Sequence, residues 1–153
     1  MKKLLILALI LWYCSIGNAT TFGYSYVSTT GNDANDCLSA ANACLTVARG
    51  VDAVPGGKGG VYIADGIYYY TSVVAYHGTF VTLIGNCSNP SAVALYTTAG
   101  NKVIWVQDHA TVIAQCMRLE TTGNGSIAIA ARQFSIADWD RVIFGAFPLG
   151  IHV

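Results

Sequence analysis

The chain has 153 residues, of which 54% are hydrophobic and 10% charged, with eight basic and eight acidic side chains. That length suits one domain, and the apolar content excludes a disordered chain. With a formal net charge of zero and no basic cluster, nucleic acid is excluded as a partner, because binding a phosphate backbone needs several cations to displace its counterions.

Lys2 and Lys3 precede an apolar run from Leu4 to Tyr13, and Ser15-Ile16-Gly17-Asn18-Ala19 then offers small residues ahead of a cleavage point. This is the pattern of a secretory signal, so residues 1–19 are expected to be removed after Ala19 and the product to be secreted or periplasmic. The run is short for a membrane span of ~20 apolar residues, so no membrane association is expected after cleavage. A lipid anchor at Cys14 is disfavoured, because bulky Leu11, Trp12 and Tyr13 stand where small residues would precede a lipidated cysteine. Cleavage leaves six basic residues (Arg49, Lys58, Lys102, Arg118, Arg132, Arg141) against eight acidic ones, a charge near −2.

Four cysteines remain: Cys37, Cys44, Cys87 and Cys116. An even number in an exported chain points to disulfides, and four cysteines allow three pairings. Proximity favours Cys37 with Cys44, which leaves Cys87 for Cys116. Zinc is disfavoured, because there is no C-x-x-C spacing and His77, His109 and His152 are isolated in the sequence.

Tyr24 to Ser28 mixes aromatic and β-branched residues and reads as the opening strand. Thr30 to Asp36 is a turn system dense in Asn and Asp. Asn32, Asp33, Asn35 and Asp36 carry the hard oxygens calcium prefers, but the rest of an EF-hand loop is missing. Asx side chains that cap their own backbone explain the same composition, so no cofactor is expected, with calcium as the alternative. Thr46 to Val54 is the helix candidate: Thr46 can cap it, Val47, Val51 and Val54 share one face, and Pro55-Gly56 ends it. Pro55 to Gly60 lacks the Gly-Lys-Ser/Thr of a phosphate loop and reads as a flexible turn. Residues 20–60 are therefore expected to form an N-terminal cap, and residues 61–153 a series of coils.

Val61-Tyr62-Ile63-Ala64 and Ile67-Tyr68 are strands joined by an Asp65-Gly66 turn. Taken with Tyr26-Val27-Ser28, the Gly31-Asn32-Asp33 turn and the helix ending Val51-Asp52-Ala53-Val54, they resemble the N-terminal cap and first coil of pectin-lyase-like proteins. Val81-Thr82-Leu83-Ile84-Gly85-Asn86 resembles the strand and turn that follow in the same superfamily. The resemblance implies an all-β fold, a short right-handed parallel β-helix whose helix covers the first coil. It says little about activity, since the superfamily includes lyases, hydrolases, adhesins and phage tail proteins.

The second half of the chain repeats itself. Gly100-Asn101-Lys102-Val103-Ile104-Trp105-Val106 is echoed 23 residues later by Gly123-Asn124-Gly125-Ser126-Ile127-Ala128-Ile129, and Leu119 by Val142. Repetition at this period is a solenoid signature. It predicts Ile104 and Val106 stacked on Ile127 and Ile129, with Trp105 and Ala128 outward. In the next strand, burial of Phe134, Ile136 and Trp139 over Val112, Ala114 and Met117 predicts a displacement of 22, with a bulge near Asp138 to Arg141 restoring 23. Laying Val81 and Leu83 over Val112 and Ala114 brings Gly85 to Cys116, which supports a Cys87–Cys116 bridge with Cα atoms about 5.5 Å apart. Leu149 to Val153 reads as the start of a further copy, left incomplete, so later coils or a second subunit are expected to cover it.

Asp108, Asp138, Asp140, Arg118, Arg132 and Arg141 match no catalytic motif, and Asp108-His109 is a pair only by adjacency. No catalytic residue is assigned. Tyr68, Tyr69, Tyr70 and Trp105, with Tyr62 and Tyr76, offer ring faces for sugars. The sequence thus points to an exported, non-catalytic protein that binds glycan or serves as a structural surface or phage-tail-like module. The alternative is a truncated polysaccharide lyase or glycoside hydrolase.

Overall fold

A computed structural model of the chain describes residues 22–70, 73–75, 78–98, 101–121, 127–132, 136–145 and 151–152. The expected signal, residues 1–19, lies outside them, as do Phe134, Tyr76 and His77. The strands are β1 (Gly23–Val27), β2 (Lys58–Ile63), β3 (Gly66–Tyr70), β4 (Val73–Ala75), β5 (Phe80–Ile84), β6 (Val93–Thr97) and β7 (Lys102–Val106). They continue as β8 (Thr111–Gln115), β9 (Arg118–Thr121), β10 (Ile127–Ala131), β11 (Ile136–Asp140), β12 (Ile143–Phe144) and β13 (Ile151–His152). One α-helix, α1 (Val47–Ala53), lies between β1 and β2.

The strands form three parallel sheets, ordered β1-β2-β5-β8-β11, β3-β6-β9-β12 and β4-β7-β10-β13. From β2 onward the chain visits the first, second and third sheet in rotation, so each strand pairs with the one three places later. Alternate side chains of each strand turn inward and stack on their equivalents. In the second sheet this gives a ladder of Tyr68, Leu95, Leu119 and Phe144, and in the third Val73, Ile104 and Ile129. The fold is therefore β-rich, with one core running between the sheets.

The helix forms as its sequence dictates. The Thr46 hydroxyl accepts from the Arg49 N–H at 3.2 Å, and Val47, Val51 and Val54 are buried in the common core. Its fit against β1 is tight, because a Cβ on Gly50 would overlap the Val27 side chain. The Asn and Asp residues ahead of it brace the backbone. Asp33 Oδ1 accepts from the N–H groups of Leu45 and Thr46, both at 2.9 Å, and its Oδ2 from the Thr46 hydroxyl. Asn32 and Asp36 each accept from an N–H two residues on, and Asn35 donates to the Ala43 carbonyl.

Both disulfides form, Cys37–Cys44 and Cys87–Cys116, with Cα separations of 5.1 and 4.6 Å. The register that pointed to the second is present, with Val81 beside Val112 and Leu83 beside Ala114. No helix among the described residues is long and apolar enough to cross a membrane. Two disulfides are compatible with an extracellular or periplasmic setting.

Several expectations are corrected. The displacement from β7, β8 and β9 to β10, β11 and β12 is 25, not 23 or 22: Ile129 lies beside Ile104, Ile136 beside Thr111, Trp139 beside Ala114 and Phe144 beside Leu119. The same value holds in all three sheets, so no bulge interrupts Asp138 to Arg141; Arg141 simply takes the left-handed conformation that Cys116 takes one round earlier. Displacements of 23 and 25 bury the same alternate residues, so alternation cannot separate them, whereas 22 inverts the strand. Ile136 consequently faces outward and is exposed, and Ala130 takes the place beside Trp105 expected of Ala128, both alanines being buried. Gly59 and Gly60, read as a flexible turn, belong to β2 and are buried. Glycine is needed at Gly59 because φ is 155° and a Cβ would fall on the Gly23 backbone. Ile151 does enter a strand, beside Ile129.

Candidate functional site

The outer face of the first sheet collects aromatic side chains. Ser25 and Val27 of β1 point inward and are buried, so Tyr24 and Tyr26 point outward; in β2 the outward positions are Lys58, Gly60 and Tyr62. The register lines up Tyr24, Gly60 and Thr82 in one row across β1, β2 and β5, with Gly60 in the middle, and Tyr26, Tyr62 and Ile84 in the next. Tyr62 stacks between the other two tyrosines, with ring centroids 5.4 Å from Tyr24 and 5.5 Å from Tyr26. Phe22 meets Phe80 edge-on at 6.3 Å.

Between these groups lies a groove of about 170 Å³ lined by Phe22, Tyr24, Gly59, Gly60, Phe80, Thr82 and Ile84. Gly60 makes the groove. It occupies an outward position without a side chain, and a Cβ there would come within 3.0 Å of the Tyr24 ring and 3.2 Å of Ile84 Cδ1. The walls are ring faces and edges, the floor is bare strand backbone, and Thr82 adds one hydroxyl. Such a site can stack against a ring and hydrogen-bond its rim. Among the described residues its lining includes no carboxylate, imidazole or amine.

Of the residues expected to offer ring faces for sugar, Tyr62 lies on this face, while Tyr68, Tyr69, Tyr70 and Trp105 are dispersed over the two other sheets. Tyr68 is corrected outright: its ring is inward, 3% exposed, and its hydroxyl donates to the Ala64 carbonyl at 2.7 Å. Burial raises its pKa to about 12, with the backbone of Thr29 opposing the shift and the charge of Asp65 adding to it. Tyr69, next in the strand, is outward and 74% exposed, and its ring lies 5.5 Å from that of Tyr96. A hydrogen bond to Glu120 raises the Tyr96 pKa. Glu120 Oε1 sits 3.1 Å from Arg118 Nε, off the line a directed hydrogen bond needs, so the contact is an ion pair. Trp105 is half-buried on the third sheet, with Lys102 Nζ 4.5 Å from its ring centroid. The side chain of Tyr70 lies outside the described set, as does Tyr76.

Asp138 and Asp140 share the outer face of the first sheet, beside Ile113 and Gln115 and away from the groove. Asp138 accepts from the Trp139 N–H at 2.8 Å, and Asp140 meets Arg141 at 3.3 Å. Asp108 and His109, adjacent in the sequence, are both left-handed residues of the turn between β7 and β8. Among the described residues no group of three or more His, Cys, Asp or Glu is placed to hold a metal ion.

Phe22, Tyr24, Gly60 and Phe80 were missed in the sequence. The available signal was the alternation in Tyr24-Ser25-Tyr26, which puts both rings on one face. No protein family, curated protein or solved structure matches the chain.

Proposed function

We propose that the chain is an exported, non-catalytic right-handed parallel β-helix of the pectin-lyase-like kind, and that it binds glycan on the outer face of its first sheet. The rotation of the strands through three parallel sheets and the helix over the first round support the architecture. One observation carries the binding function: the aromatic groove around Gly60 and the adjoining Tyr24, Tyr62 and Tyr26 stack on a rigid face. Exposed rings held by strand backbone lose little entropy when a sugar ring packs on them, and they supply area that water does not compete for. The absence of an acid and a base from the groove lining favours retention of the ligand over cleavage.

Screening the purified protein on a polysaccharide array tests the reading. At least one glycan should bind, and Tyr24→Ala should release it. An array without hits would sink the binding function. Incubation with polygalacturonate and calcium should yield no unsaturated product, and turnover would retire the non-catalytic part.

A further inference from the structure

We infer that the groove selects an uncharged polysaccharide with equatorial hydroxyls, such as a β-1,4-linked glucan, over an acidic one; this rests on the glycan-binding reading above. The lining residues Phe22, Tyr24, Phe80, Thr82 and Ile84 offer ring and aliphatic surface with two hydroxyls, those of Tyr24 and Thr82, and none of them is a cation. A uronate carboxylate entering it would shed water with no partner, which costs more than ring stacking returns. A sugar ring whose hydroxyls are all equatorial presents apolar C–H faces above and below, the shape a walled notch over bare backbone accepts. Its rim hydroxyls stay near solvent and Thr82.

The charges around the groove agree. Lys58 is the outward cation of β2, beside Phe80 in register, but does not line the cavity. Farther along the same face stand Asp138 and Asp140, three strands from β2, and only Asp140 has a cation, Arg141, paired to it. A polyanion laid across the strands toward β11 would be repelled by these carboxylates, and a neutral chain would not.

Calorimetric titration with cellohexaose and with hexagalacturonate, at ~20 and ~300 mM salt, tests the inference because screening weakens only charged contacts. Cellohexaose should bind the intact protein equally at both salts and equally well to Lys58→Gln. Gly60→Val fills the notch from an ordinary strand conformation and should weaken binding by about tenfold or more, as lost stacking implies. Phe80→Ala, which opens the opposite wall, should do the same and serves if Gly60→Val fails to fold. Hexagalacturonate binding that falls with salt and with Lys58→Gln, and is lost in Gly60→Val, would overturn the selectivity while leaving the groove as the glycan site. Cellohexaose binding untouched by Gly60→Val and Phe80→Ala would overturn the groove as its seat. If neither oligosaccharide binds while another glycan on the array does, the inference falls alone; if nothing binds anywhere, the glycan reading falls with it.

Discussion

The Ser25 hydroxyl donates to the Gly50 carbonyl at 2.7 Å, a fully buried bond that ties the opening strand to the middle of α1. Ser25 occupies an inward position in register with Val61, where an apolar side chain would otherwise stand. The hydroxyl is there because the helix turns a peptide carbonyl toward the sheet. Ser25→Ala should lower stability by about 1–3 kcal/mol, the cost of stranding a buried acceptor, read from urea denaturation. A change below ~0.5 kcal/mol would show that water or another group satisfies the carbonyl.

The two disulfides should differ in worth. Cys87–Cys116 spans a sequence separation of 29 and Cys37–Cys44 one of 7. Loop-closure entropy assigns them about 3.6 and about 2.4 kcal/mol. The double variant Cys87→Ser with Cys116→Ser should therefore melt below the variant lacking the other pair, and the opposite order by calorimetry would show that the short bridge does more than close a loop.

Tyr68 predicts an alkaline loss of stability. Its folded pKa, about 12, lies above the ordinary tyrosine value of 10.0, so the neutral form is the one the fold favours. The contribution is complete below about pH 10 and is lost as pH rises from about 10 toward about 12. Tyr68→Phe should flatten stability against pH over that window relative to the parent protein. Its cost at neutral pH should be about 1 kcal/mol, from the lost bond to Ala64.

Asp33 should act as a brace rather than as a calcium ligand. Both its oxygens already accept from Leu45 and Thr46. Asp33→Ala should destabilise by about 1–3 kcal/mol, while calcium or a chelator leaves the melting temperature of the parent protein unchanged. A rise in Tm with calcium that disappears in Asp33→Ala would assign the loop to the metal instead.

Leu119 is fully buried in the second-sheet ladder between Leu95 and Phe144. Leu119→Ala should cost about 2–5 kcal/mol through the cavity left behind. A smaller loss would mean that neighbouring rounds close over the gap.

Local chemistry was enough to read the helix, since a capping threonine and valines one turn apart define its start and its buried face. It was also enough for most strands, for the cysteine pairs, and for the register of Val81 on Val112, where one alignment stacks apolar residues and brings two cysteines together. The later register was decided by the assembled sheets, because displacements of 23 and 25 bury the same side chains, and only the pairing of β10, β11 and β12 with β7, β8 and β9 sets it at 25. The aromatic groove is tertiary for the same kind of reason. Tyr24, Gly60 and Thr82 are far apart in the chain and become neighbours only when three parallel strands align. A glycine that looks like a turn in sequence becomes, between the Tyr24 ring and Ile84, a position in the groove that no side chain fills.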